Sequence, residues 1–197
     1  MAREAAAWVA DASPRVNLVG FIDSDVAIHG TEVSGMPVLG GDDWLADDAS
    51  VSVVLGIASP GARALLAEKL RELGVSLETV VHPDAFVGPR VDIADGAIVC
   101  PGALLTCDIY IGTGAIVNYG AAIGHDSVVD PFSFIGPGAT LAGNVHVRRA
   151  AYVGIGVSVI QGTQIGEGAV VGGGAMVIED VPSGSTVAGV PARPLYG

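Results

Sequence analysis

The chain has 197 residues, half of them hydrophobic, and a formal net charge of −12, which suits one or two domains with a substantial core and not a disordered chain. Lys69 and the arginines form no basic stripe, which excludes partners bound through nucleic-acid phosphates. No apolar run has the length and Leu/Phe-rich character of a membrane span, and the start MAREAAAWVADA carries acids and lacks the basic end of a signal peptide, so no membrane partner and a cytoplasmic location are expected.

Taken in order, Arg3–Ala10 reads as a short helix, Val16–Ile22 (VNLVGFI) as a strand ending at Asp23, and Val51–Ile57 (VSVVLGI) as a second strand. Pro60–Leu73 reads as a helix, with Pro near its start and Gly74 beyond its end, the usual asymmetry of helix termini. Leu77–Val81 is a further strand, and a hinge at His82-Pro83-Asp84 divides residues 1–82 from 83–197. Alternating helix and strand point to an α/β unit of the nucleotide-binding kind.

From Val87 the pattern changes. Every sixth residue is aliphatic, through Val99, Leu105, Ile111, Val117, Ile123, Val129 and on to Val177, which makes sixteen hexapeptides without an insertion. The fifth position of each is small or β-branched, as in Ala97, Ala103, Ala115, Ala121 and Ser127. A helix of period 3.6 would scatter such positions around its surface, whereas short strands joined by tight corners point the same position inward each time. The spacing therefore predicts a parallel β-helix, a triangular prism with three hexapeptides per coil and about 4.8 Å between coils. Residues eighteen apart then lie on top of one another.

Within this array the run IGHDSVVD places His125 and Asp126 at a corner, with the side chain of His125 expected on the outside of the prism. An imidazole suits removal of a proton from an attacking amine or hydroxyl. Asp126 can accept from one ring nitrogen, fixing the tautomer and raising basicity. Cys100 and Cys107 sit among apolar residues and read as reduced thiols, not as a disulfide or metal framework.

The hexapeptide array, Gly124-His125-Asp126 and the ending Gly189-Val190-Pro191-Ala192-Arg193 together resemble the bacterial sugar O-/N-acetyltransferases related to sialic acid O-acetyltransferase and the UDP-4-amino-sugar N-acetyltransferases. The resemblance runs over essentially the whole chain. It implies a Rossmann-like N-terminal domain that holds a nucleotide sugar with a UDP or dTDP moiety, followed by a left-handed parallel β-helix. It also implies a homotrimer with acetyl-CoA in the clefts between subunits and no metal. On this resemblance His125 is the general base and Asp126 its partner. Gly143, Ile155, Gly173 and Arg193 would bind the coenzyme, with Arg148 and Arg149 competing for its phosphates. Asn118, Asp23 and Gly56 would meet the acceptor. Where some relatives carry a second His nine residues after the base, this chain has Phe134.

The resemblance further implies that the α/β domain lacks its first strand. The loss would leave Val16–Ile22 and Val51–Ile57 facing a gap and remove the turn that approaches the nucleotide phosphates. Either the natural chain starts upstream or this form binds nucleotide sugar poorly. Three other functions compete with sugar acetylation. A zinc enzyme of the same fold needs converging histidines, but the repeats hold only His125 and His146 and position 130 is Asp. Acetylation of a free sugar or amino acid would leave the α/β domain without a task. A non-catalytic assembly scaffold would tolerate loss of His125.

Overall fold

The computed structural model describes residues 1–12, 16–46 and 51–195. Helix α1 (Ala2–Ala12) is followed by strand β1 (Phe21–Ile22), the hairpin strands β2 (Glu32–Val33) and β3 (Met36–Gly40), and helix α2 (Asp42–Ala46). Strand β4 (Ser52–Val53), helix α3 (Pro60–Glu72) and strand β5 (Ser76–Leu77) complete the α/β part. Strand β1 pairs in parallel with β3, and β4 in parallel with β5.

Strands β1 and β4 belong to separate sheets. A cavity of about 980 Å³ is walled by residues of both segments, including Val19, Phe21, Val53 and Gly56, and by residues of α1 and α3. Among the described residues the two expected strands are thus each paired on one side only, and their ladders are shorter than their apolar runs. The β2–β3 hairpin, invisible to the periodicity argument, supplies β1 with its partner.

The remainder is the expected prism. Short parallel strands stack into three faces. The first runs from Phe86–Val87 to Met176–Val177, the second from Val91–Ile93 to Gln164–Ile165, and the third from Val80–Val81 to Arg193–Pro194. Partners are eighteen residues apart in the regular part, such as Leu105 with Ile123 and Ile123 with Leu141. The predicted inward residues Val99, Leu105, Ile111, Val117, Ile123, Val129 and Ile135 are all fully buried. Val80–Val81 pairs with Ile98–Val99, so the prism takes its first strand from before the hinge, and only Ser76–Leu77 stays with the α/β part. The stacked sheets fit the left-handed β-helix that the resemblance implies.

One face of the prism is covered. Outward residues of the third face, Val80, Ile98, Ile116 and Phe134, are buried together with Val9 of α1. Phe134 stacks on Tyr152, with ring centroids 4.9 Å apart and planes 4° from parallel. Phe134, nine residues after His125, is therefore packing beneath the N-terminal region.

The covering region is anchored by Arg63 on α3, whose residue is fully buried. Its Nε donates to the Gly114 carbonyl at 2.7 Å, its Nη2 to those of Phe132 and Ser133 at 2.6 and 3.1 Å, and its Nη1 to those of Ile57 and Ala58. Burial lowers its pKa to about 10, so the guanidinium stays charged at neutral pH. A planar fork with five donors is the side chain able to satisfy so many carbonyls at once.

Candidate active site

The corner between the first and second faces, here the first edge, carries the His–Asp pair. Along it Arg90, Asp108, Asp126 and Asn144 stack eighteen residues apart, and all four have φ between 55° and 57°. A left-handed corner residue turns the chain from one face to the next, and Asp and Asn tolerate that conformation better than most non-glycines. Asp126 donates its backbone N–H to the Cys107 carbonyl below at 3.2 Å, and Asn144 donates to the His125 carbonyl at 2.7 Å. The coils thus fix the backbone of the pair from both sides.

The side chains then form a dyad. His125 Nδ1 lies 2.7 Å from Asp126 Oδ2, with 53% of the His and 62% of the Asp side chain exposed. A carboxylate only accepts, so Nδ1 carries the proton, and in the neutral ring Nε2 presents its lone pair. Gly143, one coil further on, explains where the ring rests. A Cβ at that position would come within 2.5 Å of His125 Nε2. The imidazole lies on the bare glycine, and any side chain there would displace it.

Below the dyad, Arg90 and Asp108 form a two-pronged ion pair, Nη2 to Oδ2 at 2.7 Å and Nε to Oδ1. Arg90 and a bond from Cys107 hold the Asp108 carboxyl below its usual range. The Cys107 thiol is raised, first by desolvation and then by Asp108. Cys100 is buried and pushed up to about 12 by desolvation. Both cysteines are free.

The remaining expected coenzyme residues lie on the corner between the third and first faces, the third edge. Ile155 is 62% exposed, and Gly173 stacks on it, a Cβ there meeting the Ile155 side chain at 2.9 Å. Arg193 is exposed just above, where Arg193–Pro194 pairs with Thr186–Ala188. Asn118 opens the same edge, buried, with its Oδ1 accepting from the Tyr119 N–H at 2.8 Å. Within one chain the structure therefore unites His125, Asp126 and Gly143 and sets Asn118, Ile155, Gly173 and Arg193 across the first face from them.

Arg148 and Arg149 belong to the corner between the second and third faces. Arg148 bonds Gln164 Oε1 at 3.2 Å, and the Arg149 guanidinium sits 4.8 Å over the Phe132 ring. Both point away from the third edge, which leaves Arg193 as the cation beside Ile155 and Gly173. Asp23 and Gly56 both line the α/β cavity. Asp23 Oδ1 accepts from the Asp25 N–H at 2.9 Å, closing the turn after β1. Gly56 lies so close to α1 that a Cβ would meet Ala2 Cα at 2.7 Å. Among the described residues no group of three His, Cys, Asp or Glu is placed to hold a metal ion. No helix among them is long and apolar enough to cross a membrane.

A hexapeptide prism with a His–carboxylate dyad on an open corner defines a class, the hexapeptide-repeat acyltransferases. No sequence-family profile and no curated protein matches the chain, but solved structures do. A perosamine N-acetyltransferase from Caulobacter crescentus, a variant solved with CoA and GDP-perosamine, is 34% identical over 90% of this chain and 85% of its own, with a TM-score of 0.85. The acetyltransferase domain of PglB from Neisseria gonorrhoeae, solved with acetyl coenzyme A, is 32% identical over 98% and 93%, with a TM-score of 0.91. WeeI from Acinetobacter baumannii is 33% identical over 98% and 94%, also at 0.91. The chain belongs to the hexapeptide-repeat family of sugar N-acetyltransferases, and is an acyltransferase.

Proposed function

We propose that this protein transfers the acetyl group of acetyl-CoA to the amine of a nucleotide-linked amino sugar, with His125 as general base. The carrying observation is the dyad, half exposed on an open edge, with Nδ1 bound to Asp126 and Nε2 unoccupied by any protein group among the described residues. Nε2 takes the proton of the acceptor amine as its nitrogen bonds to the thioester carbonyl carbon. The C–S bond then breaks, and the imidazolium returns the proton to the departing thiolate. Asp126 orients the ring and stabilises its charged form. The exposed Ile155 side chain and the bare Gly173 stacked on it would receive the pantetheine chain. Arg193 at its end suits the coenzyme's phosphates.

The family resemblance implies a UDP- or dTDP-sugar, whereas the Caulobacter relative was solved with a GDP-sugar. A thiol-release assay with acetyl-CoA against UDP-, dTDP- and GDP-linked amino sugars tests both the reaction and the base. Release with none of them would overturn the proposal, and release with an unlinked sugar or amino acid alone would replace it. We assign the reaction to the cytoplasm, which the two free thiols support.

We also propose a homotrimer built around the first face. Its outward residues Phe86 and Leu104 are 59% and 41% exposed, while the outward residues of the third face's first coils, Val80, Ile98 and Ile116, are buried with Val9 of α1. Further along the face Thr140 and Ser158 are polar, so the bare apolar patch lies on its first coils, and such a patch marks an interaction surface. Three copies meeting on this face close a ring. Each first edge, with His125, then lies against a neighbour's third edge, with Ile155 and Gly173, which completes a site that one chain holds only in halves.

A further inference from the structure

The first edge carries more charge than the dyad uses. Asp108 stacks directly beneath Asp126, and coils of this kind stand about 4.8 Å apart. Carboxylates on neighbouring coils of one column repel each other, and the lower one would also draw on the imidazole above. The structure meets this with Arg90, one coil lower again, whose guanidinium grips both oxygens of Asp108.

Resting on the reading of His125 as the base, we propose that Arg90 and Asp108 are positioning residues for the catalytic dyad: the guanidinium cancels the Asp108 charge, leaving Asp126 as the single uncompensated carboxylate serving His125. The groups that act on one another along this edge are Arg90, Cys107, Asp108, His125 and Asp126. Arg90 is raised by its bond to Asp108 and by that carboxylate's charge, with a smaller contribution from Asp126. Asp108 is lowered chiefly by its bond to Arg90, with His125 contributing least. Arg90 also stands in a left-handed conformation, φ 55°, at a corner where Gly or Asn would cost less strain. Its side chain, and not its backbone preference, accounts for its presence.

The pair predicts two effects of opposite sign, which a merely structural role would not give. In Arg90→Gln the bare Asp108 favours the protonated imidazole, so the acidic limb of the pH profile of kcat/KM moves up by about half a pH unit at low salt. In Asp108→Asn the unpaired guanidinium moves the same limb down. The double variant returns it to the wild-type position, and added salt shrinks each shift because the pair is solvent-facing. Rescue by Arg90→Lys should be partial, since an ammonium keeps the charge and loses the fork.

Nitrogen NMR of the labelled His125 ring in the full chain gives the same comparison without activity. Its titration midpoint should move up in Arg90→Gln and down in Asp108→Asn. Unmoved midpoints in both variants, or shifts of the same sign, would overturn the proposal even with His125 essential. An active His125→Ala enzyme would instead overturn the reading of the base, and the ring titration would still decide whether the ladder exists.

Discussion

At the scale of single residues, the site rests on a side chain and on the absence of one. His125→Ala should lower kcat by about 10²–10⁴ and leave acetyl-CoA affinity nearly intact, read by steady-state kinetics and coenzyme titration. Asp126→Asn should cost less, because its task is orientation. Gly143→Ala is the sharper test of the geometry, since the new methyl would stand where the ring now lies, 2.5 Å from Nε2. We expect a kcat loss of about tenfold or more with the fold intact, because a misplaced catalytic group loses about 10²-fold per ångström. A Gly143→Ala enzyme at full rate would show that the ring works from another position. The thiols give a pH prediction. Desolvation and Asp108 raise Cys107, so its alkylation should become fast only at a pH above the ordinary thiol range of about 8.5. Cys100 should remain unmodified throughout, as mass spectrometry of the alkylated protein would show.

At the scale of elements, α3 is joined to the prism through Arg63. Replacing it with Met removes hydrogen bonds from a charged donor worth about 1.5–3 kcal/mol each and leaves buried carbonyls unmet. Denaturant unfolding should show a loss on the order of 3 kcal/mol or more, and Arg63→Lys should recover little of it, because one ammonium cannot reach carbonyls on both sides. The segments of β1 and β4 face the cavity with one paired side each. Their amides should exchange with deuterium faster than those of the prism, where a central strand such as Ala122–Ile123 is bonded on both sides. Equal protection would mean that the cavity closes in solution. The apolar runs made both strands legible in the sequence. The β2–β3 hairpin that pairs with β1 carried no periodic signal.

At the scale of the whole molecule, light scattering should report a trimer. A charge introduced on the first face, as in Leu104→Glu, should yield monomers whose prism still folds but whose turnover is lost, since Ile155 and Gly173 of one chain do not reach its own dyad. A fully active monomer would sink the shared site. The sequence by itself determined the prism, its inward residues and the corner position of His125, because an eighteen-residue coil turns spacing along the chain directly into contact in space. It also placed Gly143 beside His125 for the same reason. The same spacing set Ile155 and Gly173 in a second column. Only the tertiary structure decided that Phe134 is packing beneath α1 and that Arg63 clamps the two parts together. Those are meetings of side chains from segments with no common period, and their partners are chosen by shape, burial and hydrogen-bond need after the chain has folded.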